Sequence, residues 1–247
     1  LGLRAGFGAF EAEREASFFT TGGLAAVHAS GRDRQSIWQS LTSKETYGTT
    51  GDRILLWFDL VNQDSPIPMG STVNQTDNPT FRVKAVGAFE QKPGCPDYSS
   101  TDITKEEIER ICKNECYNPS DTRKIISRIE IVKITPQIAK SERIEDLIDD
   151  AWKTFECKPS QQGCEIEFID EEFEDNSRDT IYYVRAIQEP SPVVNGGNLR
   201  CTFNDKGECI KVNICYGDSR TDKEDDCLTL LEERAWSSPI YINFNEA

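Results

Sequence analysis

The sequence is poor in histidine and in positive charge, and it contains no long apolar run. Its 247 residues include one His and one Met, and 28 Lys and Arg stand against 43 Asp and Glu, so the formal net charge is −15. One His cannot build a metallohydrolase centre of several histidines within this chain. The like charge of phosphate groups argues against a nucleic-acid partner. No run of about 18 apolar residues occurs, so we expect no transmembrane segment.

Cysteine is absent from the first 94 residues, but nine cysteines follow between residues 95 and 227. They are Cys95, Cys112, Cys116, Cys157, Cys164, Cys201, Cys209, Cys215 and Cys227. Their density in acidic, loop-rich sequence predicts disulfides and a secreted or periplasmic location, whereas their spacing does not match the CxxC pairs of a zinc ribbon. Nine is odd, so at least one thiol is free or pairs outside the chain. Spacing does not choose among the roughly 105 ways of pairing eight cysteines.

The first part of the chain has the pattern of a strand, a helix and a second strand. Residues 24–29 form a short apolar run, residues 34–44 place apolar side chains on one helical face, and residues 53–61 form a second apolar run. This order is typical of parallel α/β sheets and barrels. One such unit is too small to be a stable sheet, and the chain begins with Leu1 rather than Met. We therefore expect that an upstream part is missing.

From residue 62 the pattern changes to short strands with brief helices between them. Residues 80–89 alternate between apolar and basic side chains, as in a half-buried antiparallel strand. Further strands are predicted at residues 125–134, 180–187, 210–214 and 240–244. Helices are predicted after the capping box of Thr104 and Glu107, and over residues 141–152, where apolar residues share one helical face. This pattern predicts a β-sandwich-like domain, and the acidic runs 165–175 and 218–226 are interpreted as solvated surface.

Four segments of the chain resemble an uncharacterised domain-of-unknown-function family whose members have a barrel similar to the PHP (polymerase and histidinol phosphatase) metallohydrolases. Residues 22–54, GGLAAVHASGRDRQSIWQSLTSKETYGTTGDRI, are similar to the last strand–helix portion of that family. Residues 128–137, 179–201 and 233–242 are similar to its C-terminal β-domain. The resemblance implies an α+β fold, with the incomplete end of a PHP-like α/β barrel over residues 1–64 and a disulfide-rich antiparallel β-sandwich-like domain over residues 65–247.

The resemblance also implies a cofactor and a partner. The metal-binding histidines would lie mainly in an N-terminal half of the same protein, which would be the partner of this chain. A divalent metal, Zn, Mn or Fe, is expected in the complete protein, and none is expected from this chain alone.

Four side chains in the first part are candidates for chemistry. His28 lies near the end of a predicted barrel strand, where α/β barrels place their catalytic residues, although a structural hydrogen bond is the alternative. Arg32 and Arg34 precede the predicted helix, where guanidinium groups and free N–H groups would bind an anion, unless they pair with Asp33. Arg53 is a further candidate for substrate contact, with a structural role as the alternative.

Two functional hypotheses follow. In the first, the chain is the C-terminal portion of a secreted metal-dependent hydrolase, and metals of the missing half activate water against a phosphoester or another small anionic substrate. In the second, the chain is a non-catalytic binding or assembly module with an acidic, disulfide-stapled β-domain.

Overall fold

Two β-sheets pack face to face in the computed structural model of the chain, which describes residues 22–100, 104–112, 116–196, 200–216, 219–222 and 224–245. The larger sheet has eight strands: β1 (Leu24–Val27), β2 (Thr46–Thr49), β5 (Thr72–Gln75), β9 (Ile126–Ile134), β10 (Ile148–Glu156), β12 (Thr180–Gln188), β17 (Arg234–Ser237) and β18 (Ile240–Phe244). Strand β12 is central, with β9 and then β10 on one edge and both β17 and β18 on the other. β17 leads on to β2 and β1, and β18 pairs in parallel with β5.

The smaller sheet has four antiparallel strands in the order β11, β6, β3, β4. Their bounds are Leu55–Leu60 for β3, Ile67–Pro68 for β4, Thr80–Val86 for β6 and Cys164–Ile169 for β11. The alternation predicted for residues 80–89 is confirmed over β6: Phe81, Val83 and Ala85 are buried, while Arg82 and Lys84 are exposed.

Smaller elements surround this sandwich. Three two-stranded ladders join β7 (Phe89–Gln91) to β8 (Pro119–Arg123), β13 (Ser191–Val194) to β16 (Leu228–Leu231), and β14 (Cys201–Phe203) to β15 (Cys209–Val212). The α-helices whose bounds fall within the described residues are α1 (Arg34–Thr42), α2 (Lys105–Cys112) and α3 (Phe173–Asn176), with 3-10 turns at Asp97–Ser100 and Ile144–Leu147. The predicted capping box is confirmed, because Thr104 Oγ1 accepts from Glu107 N and the Glu107 carboxylate accepts from Thr104 N.

The core between the two sheets is aromatic at its centre. The ring of Phe81 lies 5.3 Å from that of Phe58, 5.1 Å from that of Phe168 and 4.7 Å from that of Tyr182, measured between centroids. Phe81 and Tyr182 come from opposite sheets and neither is exposed. Since apolar burial is the main favourable contribution to folding, this aromatic contact holds the sheets together.

The predicted α+β fold with the end of a PHP-like α/β barrel is wrong. The described residues form mainly strands, with three short α-helices and no barrel. β1 pairs antiparallel with β2, and β3 lies in the other sheet. The reason is that β2 begins four residues after α1 and returns against β1, so the helix does not act as a crossover between parallel strands. The predicted β-sandwich-like, disulfide-rich character is confirmed, and the division at residues 64 and 65 stays a prediction.

The predicted helix over residues 141–152 is also wrong. A 3-10 turn is followed at once by β10, and Ile144 and Ile148 of the supposed apolar face are 61% and 43% exposed. Thr135 N donates to Leu147 O, which continues the ladder between β9 and β10. Ala151 lies at a bulge in that ladder with a φ of 58°. The segment therefore pairs with β9 as a strand, because the apolar residues at helical spacing have no core to pack against.

Four disulfides confirm the prediction for eight of the nine cysteines. They join Cys95 to Cys116, Cys157 to Cys164, Cys201 to Cys209 and Cys215 to Cys227. The side chain of Cys112 lies outside the described part of the chain. Disulfides persist in oxidising compartments, so the four bridges agree with the predicted secreted or periplasmic location. None of the helices in the described ranges has the length and apolar character needed to span a membrane.

Candidate functional site

A cleft of about 170 Å³ opens between the segment before β3 and the β7–β8 ladder. It is lined by Gly51, Asp52, Arg53, Ala88, Phe89, Gln91 and Tyr117. Of the four side chains that the sequence indicates, only Arg53 lies in this lining. We call it the Arg53 cleft.

Arg53 presents a guanidinium group supported by an aromatic ring. Its Cζ lies 3.7 Å from the ring centroid of Tyr117, which is a cation–π contact. Among the described residues, no carboxylate pairs with Arg53 and no side chain accepts a hydrogen bond from it. Its N–H groups are therefore available to a ligand in the cleft.

The one carboxylate in the lining already has cationic and amide partners. Asp52 Oδ2 accepts from Lys124 Nζ at 2.5 Å and from Gln188 Nε2 at 2.6 Å. Gln188 is fully buried, and its Oε1 accepts from Ala88 N at 2.7 Å. This network fixes Asp52 and Ala88 relative to each other. Because Lys124 offsets the charge of Asp52, the floor of the cleft does not repel an anion.

A second guanidinium–aromatic contact forms the wall beside β7. Arg123 Cζ lies 3.7 Å from the ring centroid of Phe89, and Arg123 Nη1 donates to Gly87 O at 2.7 Å. Gly87 is needed here because a Cβ atom would lie 1.9 Å from Lys124 O. The wall thus depends on close approach of two backbone segments.

Tyr117 is held in place by its chain neighbours. It directly follows Cys116, which is bonded to Cys95. The next residue, Asn118, accepts from Lys92 N at 2.7 Å and donates its own N–H to Gln91 Oε1 at 3.0 Å. The disulfide and these hydrogen bonds place the Tyr117 ring under Arg53.

His28 lies away from the cleft lining and is held by the backbone. Its Nε2 is 2.8 Å from Leu56 O, so this nitrogen carries the proton and donates it. Its ring lies 5.4 Å from Tyr47 and 5.8 Å from Trp57. Nearby, burial raises the pKa of Asp59, and the charges of His28 and Arg82 oppose that rise. Within the described ranges, no three His, Cys, Asp or Glu side chains are grouped to hold a metal ion.

Arg32 and Arg34 are exposed at the start of α1 and also lie outside the cleft lining. Asp33 between them is the N-cap: its carboxylate accepts from Ser36 N at 3.0 Å and from Ser36 Oγ at 2.6 Å. These hydrogen bonds lower the pKa of Asp33. The anion-binding role of the two arginines stays a prediction, as do the roles of His28 and Arg53.

Sequence reasoning missed Tyr117, which stacks on Arg53, and Gln188, which holds Asp52 and Ala88 of the cleft lining. Tyr117 and Gln188 lie 64 and 135 residues further along the chain, and neither belongs to a recognisable motif. Two weak signals are available: Tyr117 adjoins a cysteine, and Phe89 ends a predicted strand. Neither signal indicates that the two rings line the same cleft, where Tyr117 stacks on Arg53 and Phe89 on Arg123.

Comparisons with known proteins give one match. No curated protein and no solved structure matches the chain. The family model described as "Protein of unknown function (DUF3604)" matches residues 5–244, which is nearly the whole chain. The predicted membership of a domain-of-unknown-function family is thereby confirmed. The chain belongs to the DUF3604 family of proteins of unknown function.

Proposed function

We propose that this chain is a secreted, disulfide-stapled binding module that holds a small anionic or phosphorylated ligand in the Arg53 cleft. The observation that carries the proposal is the Arg53 guanidinium, stacked on Tyr117 at 3.7 Å and without a carboxylate partner among the described residues. A planar guanidinium presents N–H donors in a fork that matches carboxylate and phosphate oxygens.

The rest of the lining favours a ligand with an apolar part. Phe89, Ala88 and Tyr117 supply apolar surface, and Arg53 supplies the charge. Small-molecule sites commonly combine apolar walls with a few placed polar groups. Because Asp52 is paired with Lys124, an anion placed on Arg53 meets little opposing charge from the floor.

Calorimetric titration of the full chain with phenyl phosphate tests this proposal. We expect saturable binding at an ionic strength of about 0.15 M, where the net negative charge of the chain is screened beyond about 8 Å. Phenol, which has the ring without the charge, should bind much more weakly. Arg53→Gln should weaken phenyl phosphate binding roughly 10- to 100-fold, since a hydrogen bond to a charged group contributes about 1.5–3 kcal/mol.

The matched control is Lys206→Gln, which removes the same charge from an exposed turn between β14 and β15. It should bind phenyl phosphate like the unaltered chain. If Arg53→Gln and Lys206→Gln lost the same affinity for phenyl phosphate, the binding would depend only on the net charge of the chain. Unaltered binding by Arg53→Gln would place the anion elsewhere, with Arg32 and Arg34 as the next residues to substitute.

A second candidate function is a share in a metal-dependent hydrolase, with Zn, Mn or Fe as cofactor. It is favoured by His28, whose Nε2–H donates to Leu56 O, because metal-binding histidines are commonly oriented by such a bond through the ring nitrogen that does not bind the metal. The described residues do not supply the other ligands, so these would come from another part of the protein. Elemental analysis of the chain and of His28→Gln, with phosphodiester hydrolysis with and without chelator, tests it. Unchanged metal content in His28→Gln, or no chelator-sensitive turnover by the complete protein, would count against this function.

A further inference from the structure

A lysine and an aspartate meet inside the sandwich, where charged side chains are rarely found. Lys133 Nζ lies 2.6 Å from Asp170 Oδ2, and the two side chains are 8% and 0% exposed. Lys133 belongs to β9 of the larger sheet, while Asp170 directly follows β11 of the smaller sheet. A buried ion pair carries a large desolvation cost, so this pair calls for a further reason.

We propose that Lys133 and Asp170 are joined by an isopeptide bond that forms within the folded chain. The bond would link Lys133 Nζ to Asp170 Cγ, with loss of one water. The resulting amide is neutral, so its formation removes the cost of keeping two opposite charges in the core.

The neighbours of the pair are placed to assist this condensation. The Tyr182 hydroxyl donates to Asp170 Oδ2 at 2.6 Å, and Glu172 N donates to Asp170 Oδ1 at 3.1 Å. Tyr182 is fully buried, and burial together with the nearby Asp170 charge raises its pKa, so its hydroxyl stays protonated. The Trp152 ring lies 4.8 Å from Lys133 Nζ and covers the amine.

Each of these contacts has a role in a balanced reaction. A proton passes from Nζ to Oδ2 along their hydrogen bond, which leaves an amine and a carboxylic acid. The Nζ lone pair attacks Cγ, and the Glu172 N–H stabilises the negative charge that develops on Oδ1. The Tyr182 hydroxyl passes its proton to Oδ2 and takes one from Nζ. The Cγ–Oδ2 bond then breaks, Oδ2 leaves as water, and no oxidant or reductant is required.

The mass of the intact chain tests the proposal without any variant. The unreduced protein should be lighter than its sequence mass by the hydrogens of its disulfides and by one further water. After reduction and denaturation the water should still be missing. If the mass is lower only by the hydrogens lost in disulfide formation, the proposal is overturned and Lys133 and Asp170 form an ion pair only.

Peptide mapping then locates the missing water. Trypsin should fail to cleave after Lys133, and one fragment should contain the Lys133 and Asp170 peptides joined together. Lys153 is an internal control, since its Nζ lies 4.4 Å from the same Trp152 ring but donates to a carbonyl oxygen, that of Ile169. Trypsin should cleave after Lys153 normally. A water loss located at any other residue would also overturn the proposal.

Tyr182→Phe tests proton transfer by the hydroxyl without removing the packing of the ring, because it keeps the buried ring and removes only the hydroxyl. We expect the cross-link to form roughly 100-fold more slowly in this variant, as is typical for loss of one acid–base group. Lys133→Arg should show the full sequence mass, less only the disulfide hydrogens. Cross-linking of Tyr182→Phe at the unaltered rate would refute the role of the hydroxyl as proton relay.

Discussion

Truncation of Phe81 is the sharpest test of how the two sheets are held together. This side chain is fully buried and has three aromatic neighbours at centroid distances of 4.7–5.3 Å. Phe81→Ala removes the ring from the centre of the core, where the rigid strands on both sides cannot close the gap. Such substitutions cost about 3–5 kcal/mol, and we expect about 4 kcal/mol here. That is a large fraction of the roughly 5–15 kcal/mol that stabilises a typical domain.

Urea unfolding with the disulfides intact, followed by tryptophan fluorescence, measures this cost. With a denaturant dependence of about 3 kcal/mol per molar urea, the midpoint should fall by roughly 1.3 M. Phe81→Leu, which preserves most of the volume, should cost less than about 1.5 kcal/mol. Phe203→Ala, at a site that is 49% exposed, should change stability by about 0.5 kcal/mol or less. A loss below about 1 kcal/mol for Phe81→Ala would refute the view that this aromatic contact joins the sheets.

Two further predictions concern charge and backbone. The hydrogen bonds from Arg128 hold the pKa of Glu232 below its ordinary value of 4.5. The contribution of this interaction to the free energy of unfolding is therefore complete above pH 4.5, and it is lost as the pH falls through the lowered pKa of the folded chain. Urea midpoints of the unaltered chain and Glu232→Gln should therefore differ at pH 7 and converge in acid, and a constant difference would contradict this. Gly87→Ala should cost about 3 kcal/mol and abolish phenyl phosphate binding, because its Cβ atom would meet Lys124 O. Gly94→Ala, with open space around the Cβ position, should cost only about 1 kcal/mol, and equal costs would exclude a steric cause.

Periodicity predicted individual elements better than it predicted their partners. The strands around Phe58, Phe81 and Tyr182 were predictable because their apolar spacing records which side chains are buried. The helix after Asp33 forms where it was predicted, but Trp38 and Leu41 of its apolar face are 65% and 47% exposed, so that face does not pack into the core. The pairing of β1 with β2 was not predictable, since Thr46–Thr49 has no apolar alternation and contains a glycine that suggests a turn. The choice between a parallel crossover and an antiparallel return depends on that strand, so missing it changed the predicted fold class.

A similar limit applies to acidic strands. The run that begins at Glu165 was interpreted as solvated surface, yet β11 turns Glu165 and Glu167 outward and buries Phe168. Glu167 and Glu165 lie 3.5 and 3.6 Å from Arg82 and Lys84 of β6. Glu165 and Glu167 are at the surface as expected, but Asp170 in the same run is fully buried, and the strand beneath the charges is recognisable only when its basic neighbour is known.

The candidate site was predictable only in its charge. Arg53 stood out because it enters a predicted strand near a turn, but its ring partner Tyr117 comes from a segment that the Cys95–Cys116 bridge holds in place. Cysteine spacing does not specify connectivity, so that bridge was one of many alternatives. The buried pair of Lys133 and Asp170 was equally hidden, because Lys133 lies within a predicted strand, Asp170 lies in a run interpreted as solvated surface, and neither pattern gives a sign of the partner.

The position of β17 and β18 affects the order in which this protein can fold. Both strands lie against β12, and β17 also bridges to β2, which precedes it by nearly 190 residues. During synthesis the larger sheet therefore stays open until residues 234–244 have emerged. The disulfides, by contrast, span only 7 to 21 residues and can close as each short loop appears. A newly made chain would thus acquire its covalent bridges early and the ladders of β17 and β18 last, with slow final closure of the kind that distant strand contacts impose.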